Sequence, residues 1–304
     1  MDDRHRVCAH LRAIGGRHMK FIQLVSGGTV EDAIPYLESI DGVLKKVAHS
    51  ADQVARPPQA HGDPVQRSTS LRDPSLIPRL RADALYRICS CTRSELGRFA
   101  SSLCRRTPTD ELAWHSRNIY ELNLLLRWIL ESDSNLTRLW EAQIQDDIEI
   151  FEGLRDLVDE ESLEEGKEQL LDYAEAQKRW AEEHSLTPGR LPKTYKMANA
   201  VGLGSDHRAF YKVYSKLVHP TAWKLNTPPH HHGNWVYKNL FLSRAQLHAI
   251  DTATRAAETL EVSLDDIPFH GIAQVNTFTE ADTVTQSERD AIDRAYLESG
   301  RRPR

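Results

Sequence analysis

The stretch from Thr107 to Glu131 constrains the fold of this chain most. Thr107-Pro108-Thr109-Asp110-Glu111 is a strong helix start: hydroxyl caps, a proline near the first turn, and acids that the helix dipole favours. Leu112, Ile119, Leu122, Leu126 and Ile129 then recur at helical spacing. Leu124, Leu125 and Trp128 widen that stripe until it reaches the face of Arg117 and Glu121. A helix apolar on nearly all sides belongs in the centre of its domain. Such a helix needs other helices or a sheet around it, and the rest of the chain offers helices.

Val30 to Val54 repeats Ile34, Leu37, Ile40, Val43, Leu44 and Val47 in a 3.6-residue pattern. Leu80 to Leu103 does the same with Ala84, Leu85, Ile88, Leu96 and Phe99. Ser134-Asn135 opens a helix to about Val158, and an acidic helix follows to about Glu183. A short helix near Thr194 to Ala200 precedes one from Asp206 to Val218, capped by Ser205 and ended by Pro220. Trp235 to Leu260 is helical again, and Asp282 to Tyr296 forms a last short helix. No alternating strand pattern exceeds a few residues. The expected fold is all-α, a helical bundle with an N-terminal helical appendage. By composition the chain divides into an N-terminal helical segment (1–55), a Pro-rich linker or loop (56–78), a main helical domain (79–262) and a C-terminal extension (263–304).

The net charge of −5 gives no overall footprint for nucleic acid or an anionic membrane. Charge is nevertheless uneven. Leu71 to Arg106 carries eight arginines against three acids, and Glu141 to His184 carries sixteen acids against four basic residues. Two solvated helix faces of opposite sign explain this, and a local basic surface is the alternative. No apolar run is long enough to span a bilayer, and no signal peptide is read at the N-terminus. Four cysteines in a chain of 304 residues do not make a disulfide scaffold. Cys89 and Cys91 diverge on a helix, which is poor geometry for zinc. A reducing cytoplasm is the expected compartment.

Two polar pairs stand inside apolar helices. Arg117 and Glu121 are spaced i, i+4, as are Ser215 and His219. Each pair shares a helix face with large apolar residues, so burial and mutual pairing are expected. Arginine before glutamate is the weaker order for a helix ion pair, so helix stability is a poor reason for it. The functional reading is an arginine that orients an anion and a glutamate that acts as base or metal ligand. The structural reading is an ion pair that ties the central helix to a neighbour. His219 closes its helix at the end where the dipole favours a cation, and a histidine there can serve as general acid. Against that stands a histidine that caps carbonyls while Ser215 bonds back to its own turn. His230-His231-His232 would suit zinc or nickel only if a carboxylate and either His219 or His207 converged on it. The chain has no P-loop, G-x-G-x-x-G, C-x-x-C or H-E-x-x-H, so no cofactor is assigned.

The run Ser116-Arg117-Asn118-Ile119-Tyr120-Glu121-Leu122, a long acidic helical stretch, and Tyr211-x-x-Tyr214-Ser215-x-x-x-His219-Pro220 together resemble a family of bacterial all-helical proteins of unknown function. The resemblance covers roughly Ile77 to Leu260. It implies that Arg117, Glu121, Ser215 and His219 are shared polar features, but it implies no reaction. A looser similarity is to the HEPN helical domains, several of which are ribonucleases in toxin and antiphage systems. Their hallmark is an arginine and a histidine four to six residues apart on one helix. This chain departs from it, because Lys216, Lys212 and Arg208 precede His219 without an arginine at the right distance. Arg179 and His184 have the spacing, in a strongly acidic helix. Arg117 could supply the cation from another helix.

The sequence therefore points to a cytoplasmic helical protein with a buried polar site of Arg117, Glu121, Ser215 and His219. The leading function is a HEPN-like stress or defence role on RNA, with His219 as acid or base and Arg117 stabilising phosphate charge. The alternatives are a protein-protein interaction module whose four residues form a structural network, and a small metal site using Glu121 and His219.

Overall fold

A computed structural model describes residues 24–26, 30–56, 75–105, 108–157, 164–219, 235–265 and 272–274. The fold is all-α. The helices are α1 (Val30–Ala55), α2 (Ile77–Cys104), α3 (Thr109–Leu130), α4 (Asp133–Leu157), α5 (Glu164–Glu183), α6 (Thr194–Ala200), α7 (Gly204–Val218) and α8 (Trp235–Thr259). A parallel strand pair accompanies them. β1 (Leu24–Ser26) and β2 (Ile272–Gln274) pair Leu24 with Ile272, Val25 with Ala273 and Ser26 with Gln274. The sequence reading does not include this short pair. Three residues are too few for a period-2 pattern to show. The last short helix, the histidine run and most of the Pro-rich segment (57–74) lie outside the described residues.

The chain forms two compact units, each assembled from separated stretches. The first holds Met1–Ser50, Arg87–Asn123 and Ser205–Arg304. Its core is built from Leu37, Ile40 and Leu44 of α1, Leu96 and Phe99 of α2, Leu112 and Ile119 of α3, Tyr214 and Leu217 of α7, and Phe241 and Leu242 of α8. Most of the apolar positions read as helical stripes in α1 and α2 are buried, Ala84 and Leu85 in the second unit and the others in this one, while Ile34 is half-buried. The second unit holds Ala51–Tyr86 and Leu124–Gly204. Leu124, Leu126 and Ile129 are buried there, and Ile144, Ile148, Ala181 and Leu186 form a smaller apolar cluster between α4 and the end of α5. α3 thus supplies side chains to both cores, which accounts for its apolar surface on every side.

The helix ends differ from expectation in instructive ways. At α3, Thr109 Oγ1 is buried without a hydrogen-bond partner, so Thr109 does not cap; Glu111 N–H closes the turn onto Pro108 O at 3.1 Å. Ser132 rather than Ser134 opens α4, its Oγ accepting from Asn135 N–H at 3.1 Å. Ser205 lies inside α7, which begins at Gly204. Gly202-Leu203-Gly204 has a structural purpose. Gly202 takes φ +76° as Leu203 N–H bonds Ala198 O, and a Cβ at Gly204 would collide with the Asn199 side chain. Cys89 is buried and Cys91 exposed, so the two thiols do diverge; burial pushes the Cys89 thiol up to about 12. Among the described residues no helix is long and apolar enough to cross a membrane.

Candidate functional site

The site lies in the first unit, where the middle of α3 meets α7. One turn of α3 separates Arg117 from Glu121, and Arg117 Nε donates to Glu121 Oε1 at 2.9 Å. The other two nitrogens reach α7. Arg117 Nη2 donates to Tyr211 Oη at 2.8 Å, and Nη1 donates to His219 Nε2 at 3.2 Å. The guanidinium carbon also stands 4.8 Å from the centroid of the Tyr211 ring. One arginine thereby holds a carboxylate, a phenol and an imidazole in a fixed fan, which the planar guanidinium suits better than a lysine would.

Of the four residues expected from sequence, Arg117, Glu121 and His219 come together and Ser215 does not. Ser215 Oγ turns back to donate to Lys212 O at 3.2 Å. The expected burial is also corrected. The side chains of Arg117 and Glu121 keep 16% and 32% of their exposure, and His219 is exposed. His219 follows the last residue of α7, and its N–H reaches Ser215 O at 3.3 Å. A helix end projects its final side chain into solvent, which sequence spacing alone did not convey. With Arg117 donating to Nε2, that nitrogen is the acceptor and the ring proton resides on Nδ1.

Beneath the fan lies an aromatic and hydroxyl layer. His207 stacks on Tyr211 with ring centroids 4.6 Å apart, and its Nδ1 hydrogen-bonds Tyr120 Oη at 2.9 Å. Tyr120 meets the edge of His248 at 5.0 Å. Tyr214 Oη and Ser116 Oγ hydrogen-bond at 3.1 Å, and Ser116 Oγ donates to Phe241 O at 3.2 Å. Burial pushes the Tyr214 phenol up to about 12 and that of Tyr120 higher still, so both are neutral hydrogen-bonding groups. Asp206 and Arg244 form a buried ion pair at 3.6 Å, their side chains 14% and 6% exposed. The Arg244 guanidinium lies 3.3 Å from the centroid of Phe210. Burial lowers the Arg244 pKa, opposed by Asp206.

His207 gives this layer a pH dependence. Burial holds its imidazole below the usual 6.5, with Glu121 pulling weakly the other way. As pH falls, the unfolded chain takes the proton first. The stabilisation is therefore fully present above about pH 6.5 and is lost as pH drops from there toward the lower folded value. Urea midpoints of wild type and His207→Gln, compared at about pH 7.5 and about pH 5.5, should show a smaller pH effect in the variant. Equal pH effects would exclude this account.

Two further constellations went unseen in the sequence. His115 Nδ1 sits 2.8 Å from Glu95 Oε2, and Asn118 Nδ2 donates to the same oxygen at 3.2 Å. Asn123 Nδ2 donates to Asp251 Oδ2 at 2.7 Å and Thr252 Oγ1 at 3.1 Å. Both join residues far apart in the chain, so no local spacing could reveal them. The arginine–histidine spacing at 179 and 184 carries no comparable site: His184 Nδ1 donates to Trp180 O at 2.8 Å, and Arg179 is exposed. Among the described residues no group of three or more His, Cys, Asp or Glu side chains is arranged to hold a metal ion. Glu121 and His219 are both hydrogen-bonded to Arg117.

No curated protein and no solved structure matches this chain. Residues 95–235, which carry Arg117, Glu121, Tyr211, Ser215 and His219, match a family of unknown function, DUF5677.

Proposed function

We propose that the cluster of Arg117, Glu121, Tyr211 and His219 acts on RNA, in a stress or defence protein of HEPN-like character whose cation comes from a second helix. The observation that carries this reading is the fan itself: a guanidinium fixed on three sides beside an exposed imidazole. A phosphate entering the site would replace His219 as the partner of Arg117 Nη1. That exchange releases the Nε2 lone pair to take the proton of a ribose 2′-hydroxyl. The 2′-oxygen then bonds to phosphorus, the bond from phosphorus to the 5′-oxygen breaks, and that oxygen leaves with a proton from solvent. Arg117 stabilises the charge that builds on the phosphoryl oxygens, held in place by Glu121 and Tyr211.

The test is incubation of the full chain with a mixed RNA pool, followed by analysis of the product ends. Wild type should yield 2′,3′-cyclic phosphates. Arg117→Lys keeps one positive charge but cannot bridge three partners, so it should cut at least tenfold more slowly. An inactive wild type defeats the proposal.

One observation favours a second reading. Three nitrogens of Arg117 already have partners within the chain, as a structural network requires. In that case the protein is an interaction module, and Arg117→Lys would lower stability with no activity to lose.

A further inference from the structure

α7 presents two neighbouring rows of side chains at i, i+4 spacing. Tyr211, Ser215 and His219 make one row, and Arg117 holds its first and last members. Arg208, Lys212 and Lys216 make the other, three residues back and so beside the first on the helix surface. All three basic side chains are exposed. Arg208 and Lys212 have no side-chain partner among the described residues. Lys216 is engaged within the chain, so the inference rests on the other two. Helix stability does not account for the row, because like charges at i, i+4 repel and weaken a helix. The only acid of α7, Asp206, is turned inward onto Arg244. A row of unneutralised cations that works against its own helix calls for an anion from outside.

We propose that Arg208 and Lys212 form a track for the backbone of single-stranded RNA, which leads the strand to Arg117 and His219. The inference deepens the reading of the fan as an RNA site and rests on it for the end of the track. The charge selects phosphate. The spacing selects a chain of phosphates. Residues four apart on a helix are separated by about 6 Å along its axis, a step comparable to that between neighbouring phosphates of an extended strand. The direction selects a strand that the fan can use, since the track runs beside the row that ends at His219. His219 lies beyond Lys212 by about 10 Å along the axis, so Lys212 and Arg208 meet phosphates about two and three steps from the reacting one. The chemistry also requires a single strand. The 2′-oxygen must stand in line with the departing 5′-oxygen, and a stacked duplex holds it out of line. Contacts to phosphate position a strand without reading its sequence, so the track takes any order of bases.

The test separates the track from the reaction by using a strand that cannot be cut. A labelled octanucleotide of 2′-deoxyuridine carries the phosphates but no 2′-hydroxyl, and fluorescence anisotropy follows its binding to the full chain as salt is raised. Wild type should bind, with an affinity that falls steeply with salt. Arg208→Gln and Lys212→Gln should each make the plot of log affinity against log salt shallower by about 0.7, and weaken binding about five- to tenfold at about 50 mM salt. Lys196→Gln, which removes an exposed cation from α6, should leave both unchanged. The track is overturned by absence of binding, by unchanged slopes in Arg208→Gln and Lys212→Gln, by an equal change in Lys196→Gln, or by tighter binding of an RNA duplex of the same length. Cleavage of the mixed RNA pool is read separately. If the slopes change as expected but wild type cuts no RNA, the track stands and the reaction falls. If wild type cuts RNA and the slopes do not change, the reaction stands and the track falls.

Discussion

His219→Ala should lose RNA cleavage by about a hundredfold or more while remaining folded. The rate loss is that expected when a positioned acid or base is removed. The small stability change follows from the site: His219 is exposed just beyond α7, and the Arg117 hydrogen bond it gives up is long, at 3.2 Å. Such a bond contributes about 0.5–1.5 kcal/mol at most. Arg117 keeps Glu121 and Tyr211, so the fan stays in place. Cleavage rates on the mixed RNA pool should be read beside urea midpoints for both proteins. A variant that cuts as fast as wild type removes His219 from the chemistry. A variant that unfolds makes His219 part of a structural network and favours the interaction module.

Asp206→Asn should be the most destabilising of the substitutions named here, by about 3–5 kcal/mol. It leaves the Arg244 guanidinium buried over Phe210 without a counter-charge. The intact pair is itself imperfect. Its closest approach is 3.6 Å, and Arg244 Nη1 is buried without a hydrogen bond. Replacing both members should therefore cost much less than replacing one, since a well-packed apolar side chain avoids the desolvation penalty altogether. The double variant Asp206→Asn with Arg244→Met should recover most of the stability lost by the single one in chemical denaturation. If the double variant is less stable than the single, the pair stabilises the fold by attraction rather than by mutual compensation.

The helices were legible because the apolar repeat of each is local. The stripe of α1 needs only a 3.6-residue period to be read, and its positions from Leu37 to Val47 line the core. Arg117 and Glu121 were legible for the same reason, one turn apart on one helix. His219 was found through its place at a helix end. Ser215 has the same spacing and shares in the resemblance, yet its hydroxyl has a nearer acceptor in the carbonyl of Lys212. What stayed hidden was tertiary. Tyr211 was noticed one turn before Ser215, but nothing local shows that its phenol meets Arg117 from 94 residues away. The bond between Tyr120 and His207 spans 87 residues, and that between His115 and Glu95 spans 20 across two helices. Exposure was hidden too, since a helix pattern gives a face and not the depth at which that face stops.

The interleaved make-up of the first unit has a consequence for synthesis. α3 leaves the ribosome with apolar side chains on every side, but Tyr214 and Phe241, which pack with it in the same unit, follow only after α4, α5 and α6. Asn123 precedes Ser205 by roughly 80 residues, several seconds of translation at about 5–20 residues per second. During that interval Arg117 has Glu121 but neither Tyr211 nor His219, and the sticky flank of α3 lies open to a chaperone or to another nascent chain. The fan comes into being only when the late helices arrive, so a chain stopped before α7 carries Arg117 and Glu121 without the partners that complete the site.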